Sequence, residues 1–172
     1  MLFRSKLILE KYIQLSKERN NTNYLILRPS NIYGVGNNWR RNQGAIHKFI
    51  YNALSNLPIE IWGDGKAIRD YLYIDDFCRA VNMLIEKNIT NEILNIGSSI
   101  GFSINQIKDL IIKYSNNNLK IIYKEARQID VPFNILDIKK IKSKIGWEPK
   151  VSISEGIERT IKWMKNEVEK EL

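Results

Sequence analysis

Residues 62–76, WGDGKAIRDYLYIDD, contain a turn, a strand and the start of a helix in succession. Gly63, Asp64 and Gly65 mark the turn. In the RDYLYI run that follows, side chains alternate. Arg69, Tyr71 and Tyr73 share one face, and Asp70, Leu72 and Ile74 share the other. The adjacent charges of Arg69 and Asp70 therefore point in opposite directions. Asp75 or Asp76 is placed to cap a helix whose Phe77, Ala80, Val81, Leu84 and Ile85 follow the i, i+3, i+4, i+7, i+8 pattern.

The same alternation of strand and helix extends outward. Residues 5–19 read as a helix with Ile8, Tyr12 and Leu15 on one face, and YLILR (24–28) reads as a short apolar strand. Ile46, Phe49, Ile50 and Leu54 have helical spacing, and IEIW (59–62) is a second strand. Downstream, EILNIG is a buried type of strand, and Ser103 with Gln106 makes a capping box for a helix carrying Ile104, Ile107 and Ile111. KIIYKE (120–125) is a further strand. Asp137 is placed to cap a short helix presenting Ile138, Ile141 and Ile145 and closed by Gly146 and Pro149. A last helix presents Ile153, Ile157, Ile161 and Met164. Strands rich in Val, Ile and Leu between amphipathic helices indicate an α/β fold, at least partly a parallel sheet covered by helices.

The chain has 172 residues, 44% of them hydrophobic, which is enough for one full-sized core, and no linker or repeat divides it. It lacks an apolar run of about 18 residues and the order of a signal peptide, so neither a membrane span nor secretion is expected and a cytoplasmic setting is. The single Cys78 has no disulfide partner and reads as a small buried hydrophobe on a helix; no metal site is expected. Lys and Arg exceed Asp and Glu by 27 to 19, a net charge of +8 that suits an anionic partner. Much of that excess is scattered along helices, and no nucleic-acid-binding motif accompanies it, so a nucleic acid is not expected as the partner.

Three groups of residues carry candidate chemistry. RPSNIYGVG (28–36) leaves a strand at its carboxyl end, where open α/β sheets bind ligands; Asn31 offers a donor and an acceptor, and Gly34 and Gly36 permit close backbone approach. Arg69 and Arg127 stand at or near strand edges, and paired guanidiniums match a pyrophosphate. Lys6 lies on the first helix with Leu2 four residues before it. A tyrosine at that spacing would form an acid/base pair with the lysine; here the lysine stands without it. His47 has no evident catalytic partner and reads as a core or surface histidine.

Taken in order, SKLILEKY, LRPSNIYGVG, PIEIWGDGKAIRDYLYIDD, EILNIG, ARQID, IGWEP and EGIERT resemble the nucleotide-sugar epimerases and dehydratases of the extended short-chain dehydrogenase/reductase family, most of all its UDP-glucose 4-epimerases. The likeness runs from about residue 4 to about residue 165 and covers that family's C-terminal half. It implies an incomplete Rossmann-like parallel sheet with a small α/β substrate-binding lobe. The sheet-completing parts would be about 1–36 and 70–100, and the lobe about 37–69 and 101–172, within a single unit 1–172.

The resemblance further implies NAD as the family's cofactor, with Lys6, Pro29 and Ser30 on its side of the cleft. A UDP-sugar would be held by Asn31, Gln43, Gly44, Ala45, Glu60, Trp62, Arg69, Tyr71, Arg127 and Asp130. The glycine fingerprint for NAD does not occur in this sequence, and Leu2 stands where the family has its catalytic tyrosine. The chain alone is therefore expected to be inactive, not to retain NAD, and to associate as a homo-oligomer or through an exposed sheet edge. A nucleotide-sugar 4,6-dehydratase, a decarboxylase, or a catalytically dead binding or assembly module are the alternatives.

Overall fold

The computed structural model describes residues 2–36, 44–117, 119–126 and 131–169. The first helix, α1 (Leu2–Asn20), leads to β1 (Leu25–Pro29), which pairs in parallel with β5 (Glu92–Ile96) from Leu25↔Glu92 to Pro29↔Ile96. At Ser30, whose N–H donates to the Ile96 carbonyl at 2.9 Å, the chain leaves that sheet. Within RPSNIYGVG, Asn31–Tyr33 forms a further short strand, β2, paired in parallel with β4 (Ile68–Tyr73). Pairing to β4 satisfies backbone groups that would otherwise be buried without partners.

Between these strands lie α2 (Ala45–Leu54) and β3 (Ile59–Trp62). After β4 come α3 (Ile74–Glu86), β5, then β6 (Gly101–Ser103) and α4 (Ile104–Ser115). The strand β7 (Ile121–Lys124) pairs in parallel with β3, and β6 runs antiparallel to β4. The remaining elements are β8 (Phe133–Asn134), parallel to β4, and the helices α5 (Lys139–Ile145) and α6 (Ile153–Glu169). The expected α/β class with parallel pairing is the observed one.

β4 separates two cores through its alternation. Tyr71 and Tyr73 join Tyr33, Ile46, Phe49, Ile50, Ile107, Ile111, Ile157 and Ile161 on one side. Leu72 joins Ala80, Leu84, Leu94, Ile96, Ile141, Ile145 and Trp147 on the other. The Ser103/Gln106 capping box forms as its spacing predicts, with both reciprocal bonds present.

Several local expectations are corrected. Neither Asp75 nor Asp76 caps α3; the cap position is Tyr73, and it makes no side-chain bond to the helix. Asp76 is instead buried, accepting from the Lys150 and Val151 N–H groups at 2.9 and 2.8 Å and from Arg79 at 2.5 Å. Its carbonyl takes the Trp147 indole N–H at 3.1 Å, so α3 is tied to the 147–151 segment, a partner far away in sequence. Asp137 sits one residue before the cap of α5, Ile138, and accepts from Lys139 N–H at 2.8 Å. Cys78 is exposed, because it lies on the outer face of α3 away from Ala80 and Leu84. The apolar residues of α1 are also exposed, among them Leu7, Ile8, Leu9 and Tyr12; Glu10 of this helix pairs with Arg28 of β1.

Asp70, on the Leu72 face, is 1% exposed. Its Oδ1 accepts from Ser98 N–H at 2.8 Å and Ser98 O–H at 2.7 Å, and its Oδ2 from Ser99 N–H at 3.1 Å and Leu136 N–H at 3.2 Å. A side chain on Gly97 would begin 2.4 Å from Oδ2, so only glycine lets the loop close on the carboxylate. Replacing Asp70 by Ala would leave three buried or half-buried backbone donors unmatched. Asp70→Ala is expected to lose at least about 3 kcal/mol of unfolding free energy in urea titrations. Asp70→Asn is expected to recover only part of that loss, because its amide opposes a donor with a donor.

Candidate functional site

The turn in the opening stretch is held against the first turn of α4. Asn105 N–H donates to the Gly65 carbonyl at 3.0 Å, its Nδ2 to the Asp64 carbonyl at 2.9 Å, and its Oδ1 accepts from Tyr123 O–H at 3.1 Å. Gly65 has φ +72°, and a side chain there would begin 2.3 Å from Asn105 Oδ1. A cleft of about 420 Å³ lies beside this anchored turn, lined by residues of β2, α2, β3 and β4.

Seven residues singled out in the sequence line that cleft: Asn31, Gly44, Ala45, Glu60, Trp62, Arg69 and Tyr71. They come from β2, the start of α2, β3 and β4, so the likeness read from scattered motifs corresponds to one place in space. Asn31 donates from Nδ2 to the Asp70 carbonyl at 2.8 Å, which fixes its amide and turns Oδ1 away from that carbonyl. Arg69 is half-buried and donates from Nη1 to the Ile68 carbonyl at 2.9 Å. Glu60 lies on the same face of β3 as Trp62 and pairs with Lys124 of β7 at 3.4 Å. Burial pushes the Tyr71 phenol up to about 12, with the Arg69 guanidinium pulling the other way, so it stays protonated and available as a donor.

The other expected site residues fall elsewhere. Lys6 is exposed on α1, Pro29 is exposed at the end of β1, and Ser30 is half-buried between β1 and β2; none of these lines the cleft. Gln43, Arg127 and Asp130 lie outside the described residues, so the pairing of Arg69 with Arg127 is not seen. Among the cleft residues that were not anticipated are Lys48 and His47. Their signal was positional: both follow Gly44 and Ala45 within the first turn of α2.

His47 is 1% exposed, and its Nε2 lies 2.8 Å from the Gly34 carbonyl. A carbonyl only accepts, so Nε2 carries the proton. Burial holds the imidazole below its ordinary value, and the bond to Gly34 offsets this in part. Among the described residues no helix is long and apolar enough to cross a membrane.

Residues 3–97 match the model of the NAD dependent epimerase/dehydratase family. A protein of Methanocaldococcus jannaschii, provisionally named a UDP-glucose 4-epimerase, is 38% identical over 162 residues, covering 94% of this chain and 52% of its own length. The UDP-glucose 4-epimerase of Thermotoga maritima, solved with UDP-glucose, superposes with a TM-score of 0.88 at 34% identity over 92% of this chain and 51% of that one. The UDP-glucuronic acid 4-epimerase of Bacillus cereus, solved with UDP-glucuronic acid and NAD, superposes with a TM-score of 0.82 at 29% identity over 91% and 50%. The chain spans about half the length of the curated relatives it matches.

The histidine is the only one in the sequence, which makes its titration readable. With a folded value below the unfolded one, the unfolded chain binds the proton first as the pH falls. Stability should therefore be independent of this group above about pH 7.5, and should fall as the pH drops through the ordinary value of about 6.5. Below the lowered folded value the loss should level off. Urea midpoints across pH 5.5–8 are expected to show this slope, and His47→Gln is expected to remove it.

Proposed function

Because the chain belongs to the NAD dependent epimerase/dehydratase family, we propose that it is the UDP-sugar-binding portion of a UDP-glucose or UDP-N-acetylglucosamine 4-epimerase-like enzyme. The observation that carries this reading is the convergence of Asn31, Gly44, Ala45, Glu60, Trp62, Arg69 and Tyr71 on one cleft. A nucleoside diphosphate needs cationic and donor groups for its phosphates and an aromatic surface for its base. Arg69, Lys48 and the first turn of α2 supply the former, and Trp62 the latter. Arg127 and Asp130 would complete the grip on the diphosphate and the ribose.

In this reading the chain's task is to hold the nucleotide firmly while the sugar is free to turn. Epimerisation at C4 proceeds through a 4-keto sugar that presents its other face before reduction, so tight anchoring has to be confined to the nucleotide. NAD, if bound, would supply the hydride acceptor and donor for C4. Ser30 fits a position beside such a group: its Oγ is buried without a hydrogen-bond partner among the described residues, at the carboxyl end of the parallel β1–β5 pair. Lys6 and Pro29 would stand on the same side. Leu2 offers no proton acceptor, so the chain alone would bind without turnover. The exposed apolar face of α1 and the free edge of the β1–β5 pair would support self-association.

Titration calorimetry with UDP and NAD separately tests this reading. UDP is expected to bind and NAD to bind little or not at all. Arg69→Ala is expected to weaken UDP by tenfold or more, the worth of about one to two charge-assisted hydrogen bonds. Failure of UDP to bind at high protein concentration would remove the proposal for the chain by itself.

A further inference from the structure

We propose that Asn105 is a positioning residue for nucleotide binding: it clasps the β3–β7 sheet to the sheet of β4 at the end of the cleft, and so holds Trp62 and Arg69 in the mutual placement a nucleoside diphosphate needs. This inference rests on the reading of the cleft as a UDP-sugar site. It concerns a residue that is not among the described residues lining that cleft.

Two walls of the cleft belong to different sheets. Glu60 and Trp62 lie on β3, which among the described residues pairs with β7; Arg69 and Tyr71 lie on β4, which pairs with β2, β6 and β8. No ladder of hydrogen bonds joins these sheets among the described residues. Ile59 and Ile61 of β3 share a core with Ile107 and Ile111 of α4. Such packing keeps the layers together without fixing how one slides or turns on the other, because apolar contact is non-directional. At the turn between β3 and β4 the contact becomes directional.

Ser103 is both the last residue of β6 and the cap of α4, so the first turn of α4 is carried by the sheet of β4. From that turn Ile104 N–H donates to the Ala67 carbonyl at 3.3 Å and Asn105 N–H to the Gly65 carbonyl at 3.0 Å, using two of the N–H groups that a helix start leaves free. The Asn105 side chain reaches further. Its Nδ2 donates to the Asp64 carbonyl at 2.9 Å and its Oδ1 accepts from the Tyr123 O–H of β7 at 3.1 Å, so one amide ties the turn and the second strand of the β3–β7 sheet to α4. Ala67 and Ile104 line the cleft beside this clasp. Gly65 is its matching half, with φ +72° and no room for a side chain, which would begin 2.3 Å from Asn105 Oδ1. Walls fixed before the ligand arrives spare it the cost of ordering them.

UDP is the appropriate probe, since its base and its diphosphate engage both walls at once. In calorimetric titrations Asn105→Ala is expected to raise the Kd for UDP by about tenfold, the worth of one or two neutral hydrogen bonds. Gly65→Ala, which drives the turn off the same amide, is expected to do likewise, and the two together to be no more than about twofold worse than the weaker binder of the pair. With Arg69→Ala already in place the ligand is held by one wall, so adding Asn105→Ala is expected to cost less than about threefold. A general loss of stability would instead carry its full factor into that background. The Ser103/Gln106 capping box starts α4 without Asn105, so the variant is expected to fold. Asn105→Asp, which keeps the acceptor for Tyr123 and gives up the donor to Asp64, serves the same comparison in its place. Equal UDP affinity in the unaltered chain and Asn105→Ala, or losses that multiply in both combinations, would overturn this inference alone. Absence of UDP binding to the unaltered chain would overturn the UDP-sugar reading together with it.

Discussion

The structure depends on the burial of one carboxylate. Among the described residues the partners of Asp70 are neutral donors, from Ser98, Ser99 and Leu136. A buried charge is tolerable only when its lone pairs are matched, and these donors come from two loops distant in sequence. Closing them on Asp70 brings the end of β5 and the segment before α5 to the middle of β4. The same residue's carbonyl orients Asn31 in the cleft. One strand position thereby sets the relation between the parallel β1–β5 pair and the wall that carries Arg69 and Tyr71.

A second carboxylate, Asp76 in the first turn of α3, is likewise buried and bonded to backbone N–H groups, here with Arg79 beside it. It fastens the 147–151 segment, and Arg79 lies 5.7 Å from the centre of the Trp147 ring. Both aspartates belong to the stretch 62–76, which is why so much of the chain is organised around it. Between them, Tyr71, Leu72 and Tyr73 distribute apolar surface to two cores by strand alternation. The exposed apolar residues of α1 contrast with this. α1 contributes nothing to either core among the described residues, and its pairing through Glu10 and Arg28 is a surface contact of small worth.

The cleft has an electrostatic direction that suits its proposed role. Among its lining residues, Arg69, Lys48 and the start of α2 are electropositive, while Glu60, paired with Lys124, shares a face of β3 with Trp62. Such a division orients an anionic, aromatic ligand by charge first and by stacking second. Of the two loop glycines, Gly65 matters here because it lets the β3–β4 turn close against Asn105. Tyr71, kept protonated by burial, adds a donor to the same wall.

Periodicity alone determined the helices and most strands, because the spacing of Ile, Leu and Val reports directly which face is buried. The separation of Arg69 from Asp70 also followed from alternation, and the family likeness followed from the order of short motifs. What periodicity could not carry was any pairing between distant segments. β2, β6 and β8 are two or three residues long and exist because β4 offers them hydrogen bonds, so no local pattern announces them. Asp76 has the local signature of a helix cap, yet the N–H groups of Lys150 and Val151 claim it. His47 reads as a bland histidine until folding sets its ring against Gly34 and the cleft. Local propensity is written in neighbouring residues; the environment of a buried polar group is made by chain segments that meet only when the tertiary structure closes.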